Sequence, residues 1–235
     1  MPLNEQTLSK RLTQVGAHVP LHARLADIGS DHAYLPVALM LQKKITYAVA
    51  GEVVKGPYDS ATRQVLKNGL TDDIKVRLAD GLAAITTTDQ IDTVTIAGMG
   101  GTLIRSILSA GKEQGDLKGT ERLILQPNVG EKNVREWLME HHYAIVAEEI
   151  LEENGKIYEI IVADPTIDSI SYSPQELQFG PLLAKEQSAI FRQKWQHELM
   201  QKERVIAQLK QASVVPNEKL AEIQQEISWI RELLV

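Results

Sequence analysis

"AIVAEEILEENGKIYEIIVAD", residues 144–164, is the stretch on which the fold turns. Two runs rich in Ile, Val and Ala flank Asn154-Gly155. An Asn-Gly pair tolerates the positive φ values of a two-residue hairpin turn, so the runs read as two antiparallel strands. Upstream the pattern changes. "ARLADIG" (23–29), "ITYAVAGEV" (45–53), "IKVRLADGL" (74–82), "IDTVTIAGMGG" (91–101) and "ERLILQPNV" (121–129) are apolar runs of strand length. Helical segments separate them. "AYLPVALML" (33–41) carries Pro36 in its first turn, where a missing N–H does no harm. "KGPYDSATRQVLKNGL" (55–70) closes on Asn68-Gly69, and "TLIRSILSAG" (102–111) and "EKNVREWLMEHHY" (131–143) follow. Before them, "EQTLSKRLTQVGAHV" (5–19) has Leu8, Leu12 and Val15 at helical spacing.

Strands alternating with helices imply a parallel sheet covered on both faces. Five such strands followed by a hairpin make a seven-stranded, doubly wound α/β sheet whose terminal pair is antiparallel. That is the layout of the Rossmann-like class I methyltransferase fold. A dinucleotide dehydrogenase would lack the closing hairpin.

Residues 164–181, "DPTIDSISYSPQELQFGP", are rich in Pro and Ser and read as a linker. They divide the chain into a domain of residues 1–164 and a helical region of residues 165–235. "LLAKEQSAIFRQKWQHELMQKERVIAQLKQA" (182–212) has no Gly or Pro and reads as one long helix. "SVVPN" (213–217) reads as a turn, and "EKLAEIQQEISWIRELLV" (218–235) as a second, shorter helix. Leu220, Ile223, Ile227, Ile230 and Leu234 step by alternating threes and fours, a coiled-coil seam. Trp195, Leu199, Ile206 and Leu209 supply the partner seam, broken by Lys202. A short connection makes the two helices an antiparallel coiled-coil hairpin.

Composition narrows the function. The 235 residues are 43% hydrophobic and 24% charged, ordinary for a globular protein. No apolar run approaches the roughly 18 residues of a membrane span. The polar N-terminus has no signal-peptide core, so no membrane partner and a cytoplasmic location are expected. The absence of cysteine removes disulfides, thiolate nucleophiles and cysteine-based metal sites. Adjacent His141 and His142 face different sides of a helix, so no metal is expected. Net charge is −6. Yet residues 183–213 hold six Lys or Arg against three Glu, whereas residues 1–164 hold 17 basic and 22 acidic side chains.

The chemistry gathers at the strand ends. In a doubly wound sheet the ligand sits beyond the carboxyl ends of the strands, beside the first one. There the chain reads "ADIGSDHA", with a single glycine, Gly29, between Asp27 and Asp31. A pyrophosphate would meet two carboxylates, so a ligand bearing positive charge fits better. S-adenosylmethionine, with its ammonium and sulfonium groups, is such a ligand. Glu52 ends the second strand, where a carboxylate accepts hydrogen bonds from ribose hydroxyls. Asp80 ends the third, placed to bind an adenine amino group, with Gly81 leaving room for the ring. Arg11, on the first helix, either pairs with the carboxylate of this cofactor or lies on a solvated face.

The motifs "LADIGSDHAYLP", "GEVVKGPYDSA", "ADGL", "IAGMGG" and "LQPN", in that order and followed by a helical hairpin, resemble the TrmK family of bacterial tRNA adenine N1-methyltransferases. The resemblance covers nearly the whole chain. It implies methyl transfer from S-adenosylmethionine to N1 of adenine 22 in the D arm of tRNA. Composition and spacing alone stop at a methyltransferase whose substrate is open. A small-molecule methyltransferase and a non-catalytic RNA-binding protein on the same fold are the alternatives. The sparse aromatic content disfavours the first, and the three strand-end acids disfavour the second.

Under that resemblance the remaining rim residues acquire roles. Adenine N1 already carries a lone pair, so the site needs alignment more than a base. Asp31 either stabilises the charge the adenine acquires or caps the helix that follows. His32 and Tyr34 follow it, Tyr34 stacking on the base or simply packing. Ala97 and Gly98 approach the cofactor. Met99 and Gly100 either wall and open a slot for the base or only shape a turn with Gly101. Gln126 and Asn128 read an adenine edge, unless Asn128 caps the next helix. Lys194, Lys202 and Arg204, with the rest of the basic excess, either hold tRNA phosphates or form a solvated face. The sequence leaves the oligomeric state open.

Overall fold

A computed structural model of the chain describes residues 8–210 and 217–235. It divides into two compact units, Met1–Tyr172 and Ser173–Val235.

The first unit is a seven-stranded sheet in the order β3-β2-β1-β4-β5-β7-β6. Its strands are β1 (Ala23–Ile28), β2 (Ile45–Glu52), β3 (Ile74–Leu78), β4 (Thr93–Gly100), β5 (Arg122–Val129), β6 (Tyr143–Glu153) and β7 (Lys156–Pro165). The first five pair in parallel, while β7 runs antiparallel to both β5 and β6. Helices α1 (Lys10–Ala17), α2 (Tyr34–Leu41), α3 (Lys55–Lys67), α4 (Gly101–Gln114) and α5 (Glu131–Glu140) complete the unit. The apolar runs of β1, β4 and β5 are buried almost continuously, as strands covered on both faces must be. Asn154 and Gly155 turn the β6–β7 hairpin with φ of 53° and 72°, the geometry the Asn-Gly pair implies. The chain reverses its direction of travel across the sheet between β1 and β4, which opens a crevice at their carboxyl ends.

Two local expectations shift. β3 stops at Leu78, so Asp80 and Gly81 lie beyond it, at the start of a 3-10 turn, Gly81–Ala84. The first helix spans Lys10–Ala17 rather than 5–19; residues 5–7 lie outside the described residues, and Ser9 caps the helix by accepting from the Leu12 N–H.

In the second unit the linker reading is corrected. Pro174–Phe179 forms α6, opened by a capping box of Ser173 and Glu176, with Leu177 and Phe179 buried. The single long helix is also corrected. α7 (Leu183–Glu186) ends at Gln187, whose φ is 49°, and α8 (Ala189–Leu209) restarts on Ser188, whose hydroxyl accepts from Phe191. A serine that can cap offers the backbone a competing partner, which residue counting for Gly and Pro does not detect. The expected "SVVPN" turn falls, up to residue 216, outside the described residues. α9 (Asn217–Leu234) runs antiparallel to α8: Arg192 reaches the Leu234 carbonyl while Lys202 meets Glu226. Ile223, Ile227, Ile230 and Trp195 are buried.

Candidate functional site

The crevice is built around β1 and the turn that follows it. Asp27, the penultimate residue of β1, pairs in register with Thr95 of β4. The Thr95 hydroxyl donates to Asp27 Oδ1 at 2.6 Å and the Ser30 hydroxyl to Oδ2 at 2.6 Å. Burial still pushes the Asp27 carboxyl above its ordinary range, against the lowering effect of those bonds, and Asp31 adds to the rise. Both oxygens are thus engaged inside the turn, so Asp27 shapes the crevice. Ser30 and Thr95 were missed in the sequence, since neither alone is a signal.

The turn itself is strained. Gly29, Asp31, His32 and Ala33 have φ of 68°, 42°, 67° and 57°. Three consecutive non-glycine residues in the left-handed region cost about 1 kcal/mol or more each. Such strain persists where surrounding structure over-determines it, typically at a ligand site. Gly29 suits its φ, and a Cβ there would lie 2.1 Å from the terminal methyl of Met99, so that flexible side chain would have to move aside. Met99 therefore closes over Gly29, and the space above that glycine is taken by protein. The N-cap of α2 is Ala33, without a side-chain bond, so the capping alternative for Asp31 fails. Asp31 projects into solvent, 3.5 Å from His32 Nε2. The His32 and Tyr34 rings stack at 5.2 Å, and Tyr34 is partly buried.

Glu52 closes β2 on the same rim. It is buried, its Oε1 has no hydrogen-bond partner, and the carboxylate accepts from the Asp31 backbone N–H. Burial, with Asp27 and Asp31 nearby, raises its pKa. Its own carbonyl accepts from Ala79 at 2.8 Å, tying the exit of β3 to the end of β2. Asp80 is exposed beyond that tie, and Gly81 has a φ of 53°. No Lys or Arg among the described residues forms an ion pair with Asp27, Asp31 or Glu52.

On the other side of β1, the β4–β5 pairing is irregular from Ala97 to Gly100. Gly98, with φ of 82°, supports that bulge, which re-aims the backbone at the crevice. Gly100 has open space around it, whereas a Cβ on Gly101 would sit 2.0 Å from the Gly130 carbonyl oxygen. Gly101 is thus a packing requirement and Gly100 is the opening. Arg11 is not on a solvated face. It is half-buried, donates to Gln126 Oε1, and lies 5.5 Å from the Tyr158 ring centroid. Gln126 Oε1 also accepts from Gly98 N–H at 2.9 Å, and its Nε2 donates to the Pro127 carbonyl at 2.8 Å. Asn128 donates to the Gly98 carbonyl at 2.7 Å, and α5 is capped by Gly130 instead. Both amides are occupied in holding the rim. Glu153, at the hairpin tip, accepts from the Lys10 N–H at 2.5 Å and the Arg11 N–H at 3.4 Å, fixing the start of α1.

A cavity of about 590 Å³ along the outer edge of β3 shares no residue with this rim, and its Arg77 and Asp89 are paired with each other. In the second unit, Lys202 is bound to Glu226 at 2.6 Å, Lys194 lies 5.3 Å from the Trp195 ring, and Arg204 is exposed.

A family model described as TrmK, tRNA (adenine(22)-N(1))-methyltransferase, matches residues 25–232. The chain is 46% identical over 239 aligned residues to the tRNA (adenine(22)-N(1))-methyltransferase of Bacillus subtilis, covering 99% of both. A Streptococcus pneumoniae protein solved in complex with S-adenosyl-L-methionine is 47% identical, with a TM-score of 0.87 over 97% of this chain and 99% of that one. The TrmK of M. capricolum, solved with S-adenosyl-homocysteine, is 31% identical, with a TM-score of 0.84 over 97% of each chain.

Proposed function

The chain belongs to the TrmK family of tRNA (adenine(22)-N(1))-methyltransferases, and from that premise we propose that it methylates N1 of adenine 22 in the D arm of tRNA. The observation that carries this reading is the set of three carboxylates, Asp27, Asp31 and Glu52, gathered at one rim with His32 beside them and, among the described residues, no lysine or arginine paired to them. Such a set suits a ligand that brings its own positive charge and hydroxyl donors. The unpartnered Glu52 Oε1 is an acceptor waiting for a ribose hydroxyl. S-adenosylmethionine, when bound, supplies the methyl group on an already activated sulfonium.

The protein's part is alignment and charge. Asp80, exposed beyond β3, accepts from the adenine amino group of the cofactor, with Gly81 beside the ring. Arg11 keeps free donors after its bond to Gln126, because a guanidinium carries five N–H groups. They face the cofactor carboxylate, next to the backbone of Ala97 and Gly98. The open side at Gly100, with Met99 as its wall and the His32–Tyr34 pair opposite, receives the target base. Asp31 lies where the adenine gains charge as N1 takes the methyl group, and a carboxylate there stabilises that charge. Gln126 and Asn128 act by holding the rim. The catalytic domain is the first unit, Met1–Tyr172, and the second, Ser173–Val235, carries the helical hairpin, whose Lys194, Lys202 and Arg204 contact tRNA phosphates. No helix among the described residues is long and apolar enough to cross a membrane, and the enzyme works in the cytoplasm, with its tRNA substrate.

The test is transfer of labelled methyl groups into two tRNA transcripts, one with adenine and one with guanine at position 22, with the product mapped by primer extension. Incorporation confined to the adenine transcript, with a stop at position 22, is expected. Equal incorporation into both transcripts overturns the assignment.

A further inference from the structure

N1 lies on the Watson–Crick edge of adenine, the edge that pairing within a stem such as that of the D arm occupies. A paired adenine cannot present N1 to a methyl donor, so the base must leave the stack before it reacts. An enzyme that extrudes a base commonly fills or props the gap with apolar side chains.

Two side chains are placed for this. Val129, the last residue of β5, is 68% exposed, and Leu103, in the first turn of α4, is 53% exposed. Both flank the opening at Gly100: Val129 is its register partner across β4–β5, and Leu103 follows it by three residues. Both side chains are exposed beside that opening rather than packed in the core. Their mounts are rigid. The backbone of α4 is so close to the end of β5 that a Cβ on Gly101 would lie 2.0 Å from the Gly130 oxygen and 3.1 Å from the Val129 oxygen. Asn133 donates to the Thr102 hydroxyl at 3.1 Å, joining the first turns of α4 and α5. Asn128 ties the residue before Val129 to Gly98. Other exposed aliphatics on the rim, Val53, Val54 and Leu78, follow or end β2 and β3, on the half assigned to the cofactor nucleoside.

We propose that Leu103 and Val129 form an apolar wedge that stacks on the base pair next to the target and holds open the gap adenine 22 leaves. This rests on the proposed function, since it presumes the N1 reaction on a paired adenine. The wedge acts on the tRNA stem rather than on the methyl group, so its effect depends on whether the target is paired.

The experiment compares parent and the Leu103→Ser/Val129→Ser double variant on two tRNAs, one intact and one with an abasic site opposite adenine 22. On intact tRNA the variant should lose kcat/KM by about tenfold or more, since opening a base step costs a few kcal/mol. On the unpaired substrate most of that loss should disappear. Equal loss on both substrates, or no loss on intact tRNA, overturns the wedge. Val129→Ile, which keeps the apolar surface, should restore most of the rate on intact tRNA when introduced in place of the serine. S-adenosylmethionine affinity and melting temperature should match the parent, because both positions are solvent-exposed. If the parent itself fails to methylate adenine 22 in either tRNA, the proposed function falls; if only the pairing dependence is missing, the wedge alone falls.

Discussion

Two groups of acids in the first unit are treated in opposite ways. Arg135 of α5 is fully buried between Glu148 of β6 and Glu159 of β7, donating to them at 2.8 and 2.5 Å. That cluster is closed: its cation is built in, and it ties α5 to the terminal hairpin. Asp27, Asp31 and Glu52 are gathered just as deliberately, around a strained turn, but with only the half-exposed His32 near them and no arginine or lysine paired to them among the described residues. Burial raises the pKa of Asp27 and Glu52, so their ionised forms are disfavoured until positive charge arrives. An acid with an arginine serves the fold; acids held together without one form a receptacle.

Removing the cation from the closed cluster should have the largest effect. Arg135→Met leaves Glu148 and Glu159 buried and uncompensated, and should cost about 3–5 kcal/mol in a urea melt. A loss under 1 kcal/mol would mean the triad is solvated and the contrast is unfounded.

Glu52→Ala should act on binding instead. It removes a buried carboxylate with an unpartnered oxygen but also the acceptor of the Asp31 N–H, so the two effects on stability oppose each other and the net change should stay well below that of Arg135→Met. Charge-assisted bonds are worth roughly 1.5–3 kcal/mol each, so S-adenosylmethionine affinity should fall at least about tenfold by calorimetry. Unchanged affinity would remove Glu52 from the receptacle.

Asp31→Asn separates chemistry from scaffolding. Asparagine tolerates the left-handed φ of 42° as aspartate does, and Ala33 rather than residue 31 caps α2, so the melt should move by less than about 0.5 kcal/mol. In single-turnover assays kcat should drop by about tenfold, more than tRNA affinity does. A loss of stability with full activity would return Asp31 to a structural role.

The raised carboxyls also set a sign for pH. Between the ordinary carboxylate range and the raised native values of Asp27 and Glu52, the native state binds more protons than the unfolded chain. Their contribution to stability therefore falls as pH rises through that interval. Ligand affinity should strengthen over the same interval, as the acceptors ionise. The melting shift produced by S-adenosylmethionine should grow with pH there, and a flat profile would show that neither group faces the cofactor.

The smallest effect is expected in the second unit. Arg204 is exposed, whereas Lys202 is bound to Glu226. Arg204→Ala should lower the slope of log affinity for tRNA against log salt by about 0.7–0.9, the value of one phosphate contact. An unchanged slope would leave the exposed arginine a solvated charge.

What the amino-acid sequence determined by itself was everything with a local signature. The parallel strands show as apolar runs, the reversed terminal pair as Asn154-Gly155, and the receptacle as acids at strand ends, because alternation, turn chemistry and strand termini are properties of neighbouring residues. The restart of α8 on Ser188 was local too, but it competes with an equally good helical pattern and was read past. The rest was decided by tertiary structure, since its partners are far apart along the chain. Thr95 holds Asp27 only because β4 lies beside β1 in that register. Arg11 reaches Gln126 because Glu153, from the hairpin tip, fixes the start of its helix. Left-handed φ at Asp31, His32 and Ala33 has no sequence signal, because these residues resist it and only the surrounding packing compels them to adopt it. Sequence pattern placed the acids on one rim; packing, among the described residues, left them without a lysine or arginine partner.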